Sequence, residues 1–461
     1  MANRSTGLRI TTSHDRRATC IALLAMALTI LLLNAPSPVQ AQNRTSAVGG
    51  VLISSDGMLS PAGFDVTGEL RALRSQSLQP IPGELGQKTA LRKVSLRGLE
   101  EAIVRQIETG QPLPDVMKYL AGLQQIQYVF VYPETQDIVL AGFGEGWKVD
   151  QRGNLVGASS GRPVLLLDDL LVALRTARQA AQGGISCSID PTAEGLVRLR
   201  NYVSTLKAGG NIQAAVAGIE STLGPQKISV TGVPATTHFA RVLVAADYRM
   251  KRLAMDFEPS PIRGLPSYLS MIPATGSGMN SVLPRWWLTA DYQPMLRDVE
   301  GLAWELQATR VKAMTEEDLL TTDGTRQHTG KASPAAQRWA DTMTARYEEL
   351  ALADPIFGQL RNCMDLAVVG ALLVKEDLTK KAGYNMPVLL DAKRVELDQF
   401  PVPQQVSTKA SLIEKRSKWI ISASGGVQVN SWAGLQKSQT SDAPAAVRTK
   451  SAPTSGTWWW N

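Results

Sequence analysis

Ile228-Ser-Val-Thr-Gly-Val-Pro-Ala-Thr-Thr-His-Phe-Ala-Arg-Val-Leu-Val-Ala-Ala-Asp-Tyr-Arg-Met-Lys-Arg-Leu-Ala-Met-Asp-Phe257 changes its hydrophobic period part-way along. Ile228 to Val233 reads as a short strand. Pro234 and Thr236 then open a helix in which Phe239, Val242, Leu243, Ala246 and Met250 fall on one face at spacings of three and four. Leu253 to Phe257 reads as a following strand. A strand–helix–strand unit of this kind predicts a mixed chain in which sheets and helices share a core.

Working toward the N-terminus, Ile185–Ile189 reads as a strand, and Pro191 and Glu194 open a helix bearing Leu196, Leu199, Val203 and Leu206. Arg162–Leu167 reads as a buried strand that runs into a helix at Asp168-Asp169, whose acidic start suits the helix dipole. Ile126–Tyr132 and Asp137–Ala141 form a hairpin across Pro133-Glu-Thr-Gln, and a second hairpin turns at Asp150–Gly153. Leu96, Leu99, Ile103 and Ile107 mark a helix ending at Gly110, and Leu113–Leu123 reads as another. Val51–Leu59 reads as a hairpin turning at Asp56-Gly57.

Toward the C-terminus, 258–284 is a Pro/Gly/Ser-rich loop around one short helix. Arg285–Thr289 and Leu302–Met314 read as strands, and Trp339, Met343, Tyr347 and Leu350 stripe a helix from Pro334 to about Leu350. Phe357–Val374 reads as a helix apolar nearly all round; its run Met364–Val374, with Asp365 its one charge, is too short to span a bilayer, so it reads as a buried helix. Val388–Leu397 and Trp419–Val429 read as closing strands.

The fold class expected is α+β. Its parts are a signal peptide (1–41), a flexible segment with a hairpin (42–90), one α+β half (91–257), a linker (258–284), a second half with the buried helix (285–435), and a disordered tail (436–461) ending in Trp458-Trp-Trp460.

Arg4, Arg9, Arg16 and Arg17 precede an apolar run from Ala18 to Leu33, and Val39 and Ala41 place small residues where a signal peptidase reads. Cleavage after Ala41 is expected, leaving a secreted or periplasmic protein that is not an integral membrane protein. The leader holds four of the 48 basic residues and one of the 41 acidic ones, so the mature chain carries 44 against 40. That near-balance, with no basic stripe, implies no nucleic-acid partner. Of the cysteines and histidines, Cys187, Cys363, His238 and His328 remain in the mature chain, without CxxC spacing, so no Cys/His zinc centre is expected. Cys187 and Cys363 read as two separate core thiols in preference to a disulfide.

Several motifs fail on their surroundings. Gly142-Phe-Gly-Glu-Gly146 follows a strand but no helix follows it to receive a pyrophosphate, so it reads as a turn. Ser159 in Gly157-Ala-Ser-Ser-Gly161 matches a nucleophile elbow, yet the strand comes after it. No Ser-His-acid triad is therefore expected among Ser159, His238 and His328. Gly324–Lys331 has five residues between its glycines where a phosphate loop needs four. Ser204 and Lys207 have dyad spacing without companion motifs and read as a solvated face, and His238 reads as a residue at a helix start. Glu316-Glu-Asp318 offers cation ligands but reads as a solvated acidic turn. Trp286-Trp287 reads as core packing. The sequon at Asn43 carries no weight. No catalytic residue, cofactor site or metal site is assigned.

TGVPATTHFARVLVAADYRMKRLAM (231–255), RWWLTADYQPMLRD (285–298), RVKAMTEEDL (310–319) and DPIFGQLRNCMDLAVVGALL (354–373) resemble a family of exported planctomycete proteins known only as a domain of unknown function. The resemblance covers roughly residues 95–430. It implies secretion and this domain arrangement, and it supplies no activity, cofactor or catalytic residue.

The function expected is that of a non-enzymatic interaction or scaffold protein of the cell envelope, with a protein or envelope component as partner. A secreted hydrolase with an unrecognised site and a carrier of small ligands are the alternatives.

Overall fold

Gln226–Thr231 is a strand because its surroundings alternate: Gln226 and Ile228 are buried, whereas Lys227 and Ser229 face solvent. Thr237 then caps the helix His238–Ala254, its hydroxyl accepting from the Ala240 N–H at 3.2 Å. Almost every residue of this helix is buried, so it lies inside the molecule. The strand expected at Leu253–Phe257 is absent. Asp256 takes a left-handed φ of 59°, and the Phe257 N–H turns back to the Arg252 carbonyl at 2.9 Å, so this stretch is the end of the helix.

The computed structural model describes residues 51–53, 58–61, 68–206, 211–272, 283–307, 311–320, 326–410, 424–452 and 458–461. The expected signal peptide, the Asp56-Gly57 turn and the Asn43 sequon lie outside these residues.

A nine-stranded sheet runs in the order Val51–Ile53, Met58–Pro61, Gln405–Val406, Gln226–Thr231, Ile185–Asp190, Ser424–Val429, Leu283–Ala290, Val311–Leu320, Arg326–His328. Most neighbours are antiparallel, but Ser424–Val429 runs parallel to Leu283–Ala290. A six-stranded sheet has the order Ser438–Thr440, Met295–Arg297, Ala303–Glu305, Tyr128–Tyr132, Asp137–Gly144, Thr89–Ser95. Trp147–Val149 and Leu155–Gly157 make the small hairpin expected around Asp150–Gly153.

Three helices, Leu167–Gly183, His238–Ala254 and Pro355–Lys375, pack on one another, and His238–Ala254 also lies on strands Ile185–Asp190 and Ser424–Val429. A Cβ at Gly370 would run into the Ala173 carbonyl, so the close crossing of the outer two helices requires glycine there. Pro355–Lys375 is, among the described residues, the helix long and apolar enough to cross a membrane, and it is buried along its length. Each fully buried Leu, Val or Met on it stabilises the fold by roughly 1.5–3 kcal/mol. The fold is α+β.

Several elements differ from the sequence reading. Leu113–Leu123 is broken after Asp115–Lys118, because Leu120, Ala121 and Gly122 all take positive φ. Arg162–Leu166 is extended with a single bridge from Pro163 to Val156, and Leu167 already begins the helix. The helix expected from Pro334 to Leu350 is two, Pro334–Ala345 and Tyr347–Ala353. Val388–Leu397 is a run of turns. The buried Glu100 carboxylate accepts from the N–H groups of Val388 (2.5 Å) and Leu389 (2.8 Å), and Arg175 donates to the carbonyls of Leu389 and Val395. These polar anchors take the place of a strand ladder.

Residues 47–461 form one compact unit, and one apolar core runs from Leu59 to Leu435. The loop at 258–284 therefore does not divide two halves: strands from both sides of it interleave in the nine-stranded sheet and join side by side in the six-stranded one. The described part of the tail is folded rather than disordered. Ser438–Thr440 pairs with Met295–Arg297, Ala443–Lys450 is a helix, and Asn461 exchanges two backbone hydrogen bonds with Lys93.

Candidate functional site

Among the described residues, Ser159, His238 and His328 lie in three separate places, each beside a carboxylate. Ser159 lies in the turn after Leu155–Gly157. Its hydroxyl donates to Glu145 at 2.5 Å, and the Ser159 and Ser160 N–H groups donate to the same carboxylate. Burial would raise the Glu145 pKa, but these bonds, with one from Gln124, bring it down to about 2. So weak a base takes no proton from a serine. Glu145 is the staple of this loop, and Ser159 is one of its donors.

His238 is the first residue of its helix, and its Nδ1 stands 2.9 and 3.1 Å from the two oxygens of Asp169, on the first turn of Leu167–Gly183. Burial works against the imidazolium, and the Asp169 charge and hydrogen bond outweigh it, so the His238 pKa is raised. Burial first, and then the Asp169 charge, push the pKa of the Cys363 thiol on Pro355–Lys375 far up. Phe400 meets the imidazole edge-on at 5.5 Å between centroids. Asp168, pressed by burial and by the charges of Asp398 and Asp169, is raised to about 6. An aspartate that fixes an imidazole through Nδ1 is a common acid–base arrangement, but among the described residues no serine hydroxyl bonds to this ring.

His328 lies on the other side of the nine-stranded sheet's order, on its edge strand. It pairs in register with Asp318, and Arg285 pairs with Glu316 on the neighbouring strand. Successive residues of a strand alternate faces, so Arg285, Glu316, Asp318 and His328 share one face. His328 Nδ1 is 2.9 Å from Asp318 Oδ1 and 3.1 Å from Glu316 Oε1. Arg285 Nη1 donates to Glu316 Oε1 at 2.6 Å and reaches His328 Nδ1 at 3.4 Å, with its guanidinium over the Trp287 ring. Glu316 and Asp318 are thus in a strand, not the solvated turn expected of them. Among the described residues Glu316, Asp318 and His328 form the cluster with donor atoms close enough, within 4.8 Å of one another, to hold a metal ion.

The other singled-out residues are structural. Ser204 donates to the Asn201 carbonyl, and Lys207 lies outside the described residues, as do Gly324 and Thr325. Gly142–Gly146 passes from one strand to the next with no helix after it, and a Cβ at Gly142 would meet the Gln125 carbonyl. Trp286 is fully buried, edge-on to Tyr268 and Trp339. Cys187 and Cys363 are buried and unpaired. Sequence reasoning passed over Asp169, Glu145 and Arg285. Only strand phase and register, which bring 285, 316, 318 and 328 onto one face, offered a signal for the last.

Residues 187–268 match the family described as a protein of unknown function (DUF1598). The chain therefore contains a domain of unknown function there. No curated protein and no solved structure matches it. The DUF1598 stretch carries His238 of the buried pair, whereas its partner Asp169 comes from outside the stretch.

Proposed function

We propose that this chain is an exported, non-enzymatic interaction or scaffold protein of the cell envelope. The observation supporting it is the dispersal of its reactive groups: Ser159 is tied to Glu145, His238 to Asp169, and His328 to Asp318 and Glu316. Serine catalysis of the triad kind needs the hydroxyl bonded to an imidazole base, and in none of these sets does a serine meet a histidine. The reading also includes export, with the mature chain starting at Gln42.

Crosslinking in intact cells, followed by purification and mass spectrometry, tests it, together with a fluorophosphonate probe for activated serines. The expected result is a defined envelope component crosslinked to a chain that begins at Gln42, with Ser159 unlabelled. Turnover of ester, peptide or glycoside substrates that is lost in His238→Ala overturns it in favour of a hydrolase, the reading that the buried Asp169–His238 pair favours.

A further inference from the structure

We infer that Glu316, Asp318 and His328 form a binding site for a divalent ion of the zinc class. The ligand set comes first. One imidazole nitrogen and two carboxylates suit zinc, whereas calcium and magnesium take oxygen donors. Metal–ligand lengths near 2.1 Å in a tetrahedral site put neighbouring donors about 3.4 Å apart. His328 Nδ1 already stands 2.9 and 3.1 Å from the two carboxylates, within a few tenths of an ångström of that separation, and all three donors lie within 4.8 Å of one another. Backbone pairing sets the arrangement: Asp318 and Glu316 are alternate residues of one strand, and His328 is directly opposite Asp318. The Asp318 side chain is 1% exposed and that of His328 is 60% exposed, so the ion would have one face held by the sheet and another open to water or to a further ligand.

A second observation concerns the hydrogen bonds. His328 Nδ1 faces two carboxylates, which only accept from it when ionised, and the Arg285 guanidinium, which only donates. No single tautomer satisfies all three. A metal ion in place of the guanidinium removes the conflict: Nδ1 offers its lone pair, and both carboxylates offer oxygens to the same charge. A cation is already drawn to this place, since Arg285 Nη1 is 2.6 Å from Glu316 Oε1. The guanidinium also stacks on Trp287, with 5.0 Å to the ring centroid, and that ring can keep it when the ion displaces it from Glu316. This inference is independent of the proposed interaction role.

The experiment is a calorimetric titration of the purified, chelator-free mature protein with zinc chloride at neutral pH, with calcium chloride alongside. We expect one zinc ion per chain and a change in tryptophan fluorescence as Arg285 shifts on Trp287. His328→Ala and Glu316→Gln should each weaken binding at least tenfold, and Arg285→Ala should leave it equal or tighter. His328 is on the surface, so its removal leaves folding intact, which circular dichroism will show. No zinc binding, tighter binding of calcium than of zinc, equal affinity in His328→Ala, or weaker binding in Arg285→Ala each overturns the site as described.

Discussion

Lys251 holds Asp247 from one helical turn away, Nζ to Oδ2 at 2.9 Å, and the carboxylate has no exposure to solvent. The same ammonium donates to the carbonyls of Ile189 at 2.9 Å and Gly425 at 3.2 Å, so a single charge ties the helix to two strands. Burial nonetheless pushes the Asp247 carboxyl up to about 6. Removing one partner of a buried pair strands the other. Lys251→Met is expected to cost about 3–5 kcal/mol in urea unfolding at pH 7.5. Adding Asp247→Asn to that variant should recover much of the loss. A single-variant loss below about 1 kcal/mol would show that the pair is not the anchor described here.

Asp168 gives a pH-dependent prediction. Burial, then Asp398 and Asp169, raise its folded pKa to about 6, above that of the unfolded chain. The folded state therefore binds this proton more tightly, and stability from this group is present below pH 4 and lost as pH rises through 6. Asp168→Asn removes that loss. The variant should be more stable than the wild type by about 1–2 kcal/mol at pH 7.5 and equal to it near pH 4. A variant that is less stable at pH 7.5 would reverse the sign assigned to Asp168.

Cys187 and Cys363 should both behave as thiols. Each is buried and unpaired, and burial raises both pKa values far above the usual thiol range. Thiolates are the reactive species, so iodoacetamide should leave the folded protein unmodified. Unfolding the mature chain, from Gln42 onward, in guanidinium without reductant should expose two reactive thiols by Ellman titration. Fewer than two would mean that the cysteines are oxidised.

Much of the fold was legible where one periodicity dominates. The helices His238–Ala254 and Pro355–Lys375 and the hairpin of Tyr128–Tyr132 with Asp137–Gly144 follow directly from apolar spacing. Val388–Leu397 was misread because its apolar residues alternate as in a strand, while Glu100 and Arg175, more than two hundred residues away, hold it as turns. The metal-type cluster was only half visible. Glu316 and Asp318 stood out as an acidic pair, but their nearness to His328 depends on strand register, and their nearness to Arg285 on a second strand. Asp169 was read for its effect on the helix dipole, since nothing in the sequence placed His238 beside it.

The C-terminal tail supplies a further test. Arg448 donates to the Val131 carbonyl and stacks over Tyr132 at 4.7 Å, the Tyr132 hydroxyl donates back to the Arg448 carbonyl, and Val447 and Trp458 pack with Phe130 and Val139. Ending the chain at Leu435 removes all of these contacts and the strand Ser438–Thr440. The melting temperature should fall by about 3 °C or more. An unchanged melting temperature would show that the tail only rests on the sheet.

Strand Ser424–Val429 lies between Ile185–Asp190 and Leu283–Ala290, in the interior of the nine-stranded sheet. A nascent chain that has not yet reached Ser424 has two open strand edges facing a gap that no earlier segment fills. Pairings between such distant parts of a chain form slowly. Synthesis must thus pass Ser424 before the nine-stranded sheet can close.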